Sequence, residues 1–220
     1  MLPQAVSRPF HDREDAGRAL VEHLRKYAGR DDLLVLALPR GGVPVAYEVA
    51  RALPAPLDVF IVRKLGVPGH EEYAMGAVAS GGIRVLNEEA VRTLRLSIAT
   101  VDRVAAKELA ELNRRERAYR GERPEPVVEG RTIILVDDGL ATGTSMRAAV
   151  SALKVRRPTR IVVAVPVAAA DTCAALARDV DEVVCAVTPE PFRAVGLWYE
   201  NFDQTTDEQV HALLDKGRRP

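Results

Sequence analysis

An α/β architecture, a mainly parallel twisted sheet flanked by helices, is what this sequence predicts, and two observations predict it. Short apolar runs rich in Val, Ile and Leu alternate with segments of helical period, and strands alternating with helices imply a parallel sheet with right-handed crossovers, covered on both faces. The chemically suggestive loops all follow such runs, on the edge of a sheet where ligands bind in this architecture.

The elements follow in order. From Asp12 to Ala28, the residues Ala16, Ala19, Leu20, Val21 and Leu24 share one helical face, with Asp12 or an upstream residue as cap. Leu33 to Leu38 is a continuous apolar run that ends in Pro39-Arg40-Gly41-Gly42, after which Val43 to Leu53 resumes a helical pattern: strand, tight loop, helix. Leu57 to Val62 reads as a further strand, and Arg63 to Tyr73, with Gly66, Pro68 and Gly69, as a mobile loop. Met75 to Ala79 and Ile83 to Leu86 form a hairpin around Ser80-Gly81-Gly82. Asn87 caps a short helix, and Ser97 to Arg120 makes a long one with Ile98, Val101, Val104, Ala105, Leu109 and Leu112 on its apolar side. Gly121 to Gly130 is a surface connection. Strand 132–136, helix 145–156, strand 160–165, helix 170–178 and strand 181–187 complete the alternation.

At 220 residues, 47% hydrophobic and 28% charged, the chain is long enough for one sizeable core, and we expect a single domain over 1–220. Thirty-one basic and thirty-one acidic side chains cancel, so no global field draws nucleic acid or an anionic membrane, and neither is expected as a partner. Ile161 to Ala170 is too short to span a bilayer, and Met1-Leu2-Pro3-Gln4 lacks the features of a signal peptide. The expected location is therefore cytoplasmic. Cys173 and Cys185 stand in no metal-binding spacing and are expected to be reduced, and the four histidines are scattered.

Residues 136–146 point most clearly to a chemistry. The string Val136-Asp137-Asp138-Gly139-Leu140-Ala141-Thr142-Gly143-Thr144-Ser145-Met146 lies between a strand and a helix start. The backbone N–H groups of Ala141 to Ser145 lack helical partners, the helix dipole adds positive charge there, and the hydroxyls of Thr142, Thr144 and Ser145 can donate to an oxyanion. Gly143 permits close backbone approach. Asp137 and Asp138 would repel a phosphate but suit vicinal sugar hydroxyls or a hydrated Mg²⁺. The competing structural reading is an ordinary capped helix, which needs neither paired acids nor three hydroxyls. There is no Gly-x-x-x-x-Gly-Lys-Ser/Thr string and no Gly-x-Gly-x-x-Gly.

This segment is similar to the phosphoribosyl diphosphate signature of the type I phosphoribosyltransferases: apolar strand, two acids, two variable positions, then Ala/Asp-Thr-Gly and a hydroxyl-rich turn. Other loops agree. Leu38-Pro39-Arg40-Gly41-Gly42-Val43-Pro44 resembles the family's diphosphate loop, most nearly the Ser-Arg-Gly-Gly form of the xanthine-guanine enzymes. Arg63-Lys64, before Gly66 and Gly69, resembles the start of the flexible loop of the orotate enzymes, with His70, Glu71 and Glu72 as weaker candidates. Phe192 to Phe202, with Trp198 and Tyr199, resembles the hood of the hypoxanthine-guanine enzymes, where aromatic faces lie near the base and Glu200 and Asn201 would read its edge. A C-terminal segment stapled to the core by its aromatics is the plain alternative. The chain as a whole resembles bacterial phosphoribosyltransferases of unassigned substrate in Leu-Pro-Arg-Gly-Gly-Val-Pro, Val-Arg-Lys-Leu-Gly and Pro-Glu-Pro-Phe-Arg, over roughly residues 10–215.

The resemblance implies a core over about 30–187, a small hood from the N-terminal segment and about 188–215, and a flexible loop hairpin. It implies Mg²⁺-dependent transfer from phosphoribosyl diphosphate to a nitrogen heterocycle, a place in nucleotide metabolism, and a homodimer as one arrangement. Asp137, Asp138 and Lys64 would be catalytic, with both acids holding the metal through water. Residues Ala141, Thr142, Gly143, Thr144 and Ser145 would hold the 5′-phosphate; Arg40, Gly41, Gly42, Arg63 and Lys64 the diphosphate; Trp198 and Tyr199 the base. One position departs from the hypoxanthine-guanine pattern. Where those enzymes place an Asp able to act as general base, this chain has Ala141. The loops resemble different subfamilies and name no single base. A ligand-sensing regulator and a sugar-phosphate hydrolase or phosphorylase are the alternative function classes.

Overall fold

The computed structural model describes residues 10–217; the N-terminal stretch read for signal-peptide features lies outside them. Its centre is a five-stranded parallel sheet in the order β2-β1-β6-β7-β8, formed by β1 (Leu33–Ala37), β2 (Leu57–Val59), β6 (Thr132–Val136), β7 (Arg160–Val167) and β8 (Glu182–Val187). The order matches the expected alternation, because each strand returns to the sheet through a crossover.

Both faces of this sheet are covered, which is why its strands read as unbroken apolar runs. Leu33, Val35, Ala37, Ile134 and Val136 pack with residues of α1 (Arg13–Leu24), α2 (Gly42–Ala52) and α7 (Asp207–Lys216). The alternate residues Leu34, Leu36, Ile133, Leu135 and Val163 face α5 (Thr144–Val155) and α6 (Ala170–Leu176). Asp12 caps α1 by accepting from the N–H of Asp15, and Thr206 with Gln209 forms a capping box on α7.

A three-stranded antiparallel sheet is inserted between β2 and β6. It comprises β3 (Val62–Val67), β4 (His70–Ala79) and β5 (Ile83–Leu86), followed by α3 (Glu88–Thr93) and α4 (Ile98–Arg120). Here the sequence reading needs correction, because Arg63–Tyr73 is not a loop. Leu65, Val67, Met75 and Val78 are buried with Val101, Ala105 and Leu112 of α4, and that packing extends the hairpin to a turn at Pro68–Gly69. Gly66 marks a register shift in β3, where a Cβ would come within 2.9 Å of the Glu71 carbonyl, so this glycine permits a bulge and does not break the strand. The opposite face of the small sheet, through Val62, Ala79, Ile83 and Val85, meets Met146, Ala149 and Val150 of α5.

Cys173 of α6 and Cys185 of β8, expected to be reduced, are joined in a disulfide. The crossover lays α6 back on β8 within the second cluster, so residues 12 apart in sequence become neighbours. Among the described residues no helix is long and apolar enough to cross a membrane.

The register of β1 against β6 sets where the functional loops leave the sheet. Leu33 pairs with Thr132 and Ala37 with Val136. At the start of this ladder the Thr132 N–H donates to the Asp32 carbonyl, the Thr132 hydroxyl donates to Asp32 Oδ2, and Arg30 forks onto both oxygens of the same carboxylate at 3.0 Å. The hydrogen bonds from Arg30, and then from Thr132, hold the Asp32 carboxyl at about 2, below its ordinary value. A carboxylate depressed in the folded state stabilises above its unfolded pKa and loses that contribution as pH falls through the folded value. Asp32→Asn should lower stability at pH 7 by about 1 kcal/mol at most, since the side chain is partly solvated. The deficit should shrink as pH falls from about 4 to 2; urea denaturation across that range checks both sign and window.

Candidate active site

The loops at the carboxyl ends of β1 and β6 are in direct contact. Leu38 donates its N–H to the Val136 carbonyl at 2.9 Å, and Gly42 to that of Leu38, so the chain turns sharply into α2. The Pro39–Arg40 peptide in this turn is cis. A Cβ at Gly41 would stand 2.0 Å from Asp138 Oδ2, and one at Gly42 would stand 2.8 Å from the Val136 carbonyl oxygen and 2.9 Å from the Asp137 Cα. Glycine is needed at both positions because backbone lies directly on the acid pair.

The acids themselves differ. Asp137 Oδ1 accepts the N–H of Asp138 at 2.9 Å. Burial, followed by the charge of Asp138 beside it, pushes the Asp137 carboxyl well above the usual carboxylate range. Asp138 is joined instead to Arg13, whose Nε donates to Oδ2 at 2.8 Å. A cation brought to the pair would reverse the pressure on Asp137, since a bound ion dominates local charge.

Past the acids, Leu140 pairs with the end of β7, donating to the Val167 carbonyl and accepting from the N–H of Ala169. The turn into α5 then has Gly143 as N-cap at φ 71° with no side-chain capping bond. Thr142, Thr144 and Ser145 are exposed at this helix start, and the Thr142 and Thr144 hydroxyls lie 3.2 Å apart. The capped-helix alternative is therefore not what forms, and these hydroxyls remain open to a ligand. Two braces fix the loop from behind: Arg147 Nη2 donates to the Thr142 carbonyl at 2.8 Å, and the Thr172 hydroxyl to that of Ala141 at 2.7 Å.

The cations are spread around this centre. Arg40 lies 3.6 Å from Asp207 at the start of α7, and the same carboxylate accepts the Tyr119 hydroxyl of α4 at 2.7 Å. Burial, then this hydrogen bond, pushes Tyr119 up to about 12. Arg63 and Lys64 are consecutive strand residues and point to opposite faces. Arg63 turns to α4 and pairs with Glu108 at 2.6 Å. Lys64 shares its face with Val62, on the side that packs against α5, and its Nζ lies 3.4 Å from the Glu72 carbonyl. Of the weaker candidates in this hairpin, His70 and Glu72 are exposed, and Glu71 Oε1 accepts the Gly69 N–H. In this arrangement a partly buried carboxylate holds the Arg63 guanidinium, while Lys64 lies on the other face.

The aromatic segment after β8 packs inward. Tyr199 is buried against Phe10 and Phe202, and its hydroxyl donates to the Asp138 carbonyl. Burial, first, raises its pKa. Its hydroxyl anchors the backbone of the acid pair. Trp198, partly buried, packs in the same cluster. Glu200 is taken by His11 at 2.9 Å, which with Asp12 raises the His11 pKa, and Asn201 Oδ1 accepts the Asp203 N–H. Arg13 is the residue that sequence reasoning missed. It stands 125 positions from its partner Asp138, and within α1 it is one more charged residue on a polar face.

The sequence profile of the phosphoribosyl transferase domain matches residues 10–195. The chain belongs to that family. Two Mycobacterium tuberculosis proteins, from strains CDC 1551 and H37Rv and provisionally named phosphoribosyl transferases, are each 48% identical to it over 210 residues, or 96% of this chain. The chain spans about half the length of these relatives, 47%. A crystal structure of a Thermus thermophilus protein is 45% identical with a TM-score of 0.85, covering 94% of this chain and 98% of the other. A purine phosphoribosyltransferase from Pyrococcus horikoshii matches at 15% identity and a TM-score of 0.48 over 88% and 91% of the two chains, too distant to carry an argument.

Two outcomes follow from the packing. Gly41→Ala should cost about 1–3 kcal/mol through overpacking, a fall of several degrees in Tm, because its Cβ would overlap Asp138 Oδ2. Arg63→Met should cost about 1–3 kcal/mol by leaving Glu108 unpaired. Thermal denaturation of each variant tests the two losses.

Proposed function

We propose that this site transfers the phosphoribosyl group of phosphoribosyl diphosphate to the nitrogen of a heterocycle, most simply a nucleobase, and releases diphosphate. The observation that carries this reading is the contact of the Gly41–Gly42 loop with Asp137 and Asp138 at the ends of neighbouring strands. It sets a glycine loop suited to a diphosphate beside acids suited to a sugar, with the hydroxyl turn of Thr142 to Ser145 next along the chain.

In this mechanism the bond from the ribose anomeric carbon to the diphosphate oxygen breaks, and a bond to the acceptor nitrogen forms. The leaving oxygen keeps the electron pair, and the acceptor N–H proton passes to solvent. Charge builds on the diphosphate and in the ribose ring, so the protein's part is orientation and electrostatic complement. The open amides and hydroxyls of the α5 turn hold the 5′-phosphate. Arg40 and Lys64 bear on the diphosphate. Asp137 and Asp138 accept from the ribose hydroxyls, and Trp198 with the hood flanks the acceptor.

The residues present fit a magnesium ion. Asp137 Oδ1 and Asp138 Oδ2 are engaged within the protein, leaving one oxygen of each acid, and Mg²⁺ commonly takes one or two carboxylates, with water and substrate phosphate completing its shell. Among the described residues no group of three or more His, Cys, Asp and Glu is placed to hold a metal, so any ion here would share its shell with the donor. When bound, it would neutralise charge developing on the diphosphate.

Calorimetric titration with phosphoribosyl diphosphate, with and without Mg²⁺, tests the donor assignment: saturable binding strengthened by Mg²⁺ is expected, and no binding in either condition overturns it. The double substitution Asp137→Asn, Asp138→Asn should abolish diphosphate release in a screen of heterocyclic acceptors. Lys64→Ala should lower donor affinity about tenfold, in the range of a lost charge-assisted contact. Binding without release for any acceptor would point to ligand sensing.

A further inference from the structure

We propose that Arg13 is a positioning residue that acts through Asp138, fixing the orientation of that carboxylate toward the donor. The inference rests on the donor-site reading above. Arg13 opens α1, directly after its cap Asp12. Its side chain is 11% exposed and that of Asp138 16%, so the pair is largely withdrawn from water, where such a bond is strong and its loss costly.

Three segments distant in sequence converge on this one guanidinium. Nε donates to Asp138 Oδ2 at 2.8 Å, and Nη1 donates to the Asp203 carbonyl at 2.7 Å. Its central carbon lies over the Phe202 ring, 4.0 Å from the centroid, and 5.9 Å from that of Tyr199. A Cβ at Gly41 would come within 3.3 Å of Nε. The ring beneath, the carbonyl on one side and the glycine loop on the other leave the guanidinium little choice of orientation.

Asp138 is constrained in turn. Oδ2 is enclosed by Arg13 and the Gly41 backbone, and Tyr199 holds the main-chain carbonyl of the same residue. What Asp138 can present to ribose or a hydrated cation is therefore Oδ1. A carboxylate held at one oxygen meets its ligand without rotamer entropy left to lose, the role that supporting partners play behind a ligating side chain. Arg13 supplies that restraint, because lysine lacks the planar fork needed to reach Asp138 and Asp203 together.

The alternative is that Arg13 merely staples the hood to α1 and stabilises the fold. A double-mutant cycle on the whole chain separates the two, reading affinity for phosphoribosyl diphosphate with Mg²⁺ and Tm for the wild type, Arg13→Gln, Arg13→Lys, Asp138→Asn and the Arg13→Gln, Asp138→Asn pair. Arg13→Gln and Arg13→Lys should each weaken affinity about 10- to 100-fold, the usual effect of removing a supporting partner. In the Asp138→Asn background the same Gln change should cost less than about threefold, as expected of coupled residues. Arg13→Lys keeps the charge and reports if the Gln variant does not fold. Wild-type affinity in the Arg13 variants, with only Tm lowered, overturns the inference alone. A full loss from Arg13→Gln in the Asp138→Asn background also overturns it, because Arg13 would then act independently of Asp138. No wild-type binding overturns the donor-site reading, and this inference with it.

Discussion

The contact between the Gly41–Gly42 loop and the acid pair Asp137–Asp138 is the constraint on which the rest of the site depends. It arises because β1 and β6 are adjacent and parallel, with Ala37 opposite Val136, so both chains leave the sheet at the same level. At Gly41, where an added Cβ would stand 2.0 Å from a carboxylate oxygen, no side chain fits between them. The two loops therefore share one wall.

Around that wall the polar bonds serve to fix the backbone. Arg147 and Thr172 hold the carbonyls of the α5 turn from behind, and Tyr199 holds the carbonyl of Asp138 from below. With the carbonyls so engaged, the hydroxyls of Thr142, Thr144 and Ser145 stay on the open side. The turn is thus braced by contacts within the protein itself. Gly143 is in the left-handed conformation, and a Cβ there would come within 2.9 Å of the Thr172 methyl, so the turn admits no side chain at this position without strain.

Much of this was legible in the linear chain. The strand 132–136, the turn after it and the capped starts of α1, α3 and α4 all depend on residues within a few positions of one another. The strands over 63–73 read as loop because their glycines look like breakers until Leu65, Val67 and Met75 meet α4, a partner that follows later in the chain. Strand alternation then divided Arg63 from Lys64, sending one to Glu108 and leaving the other on the α5 side.

Local periodicity and one contiguous motif were enough to indicate the family and the parallel sheet, because that information lies in neighbouring residues. Which members of the motif are free was settled only by packing in three dimensions. Arg13 closes one oxygen of Asp138, Tyr199 becomes a buried prop, and Arg40 leans to Asp207 of the hood helix. Each of those contacts joins residues more than 60 positions apart, so none leaves a periodic or adjacent trace in the chain. They follow from strand order and helix packing, which fix distance in space independently of distance in sequence.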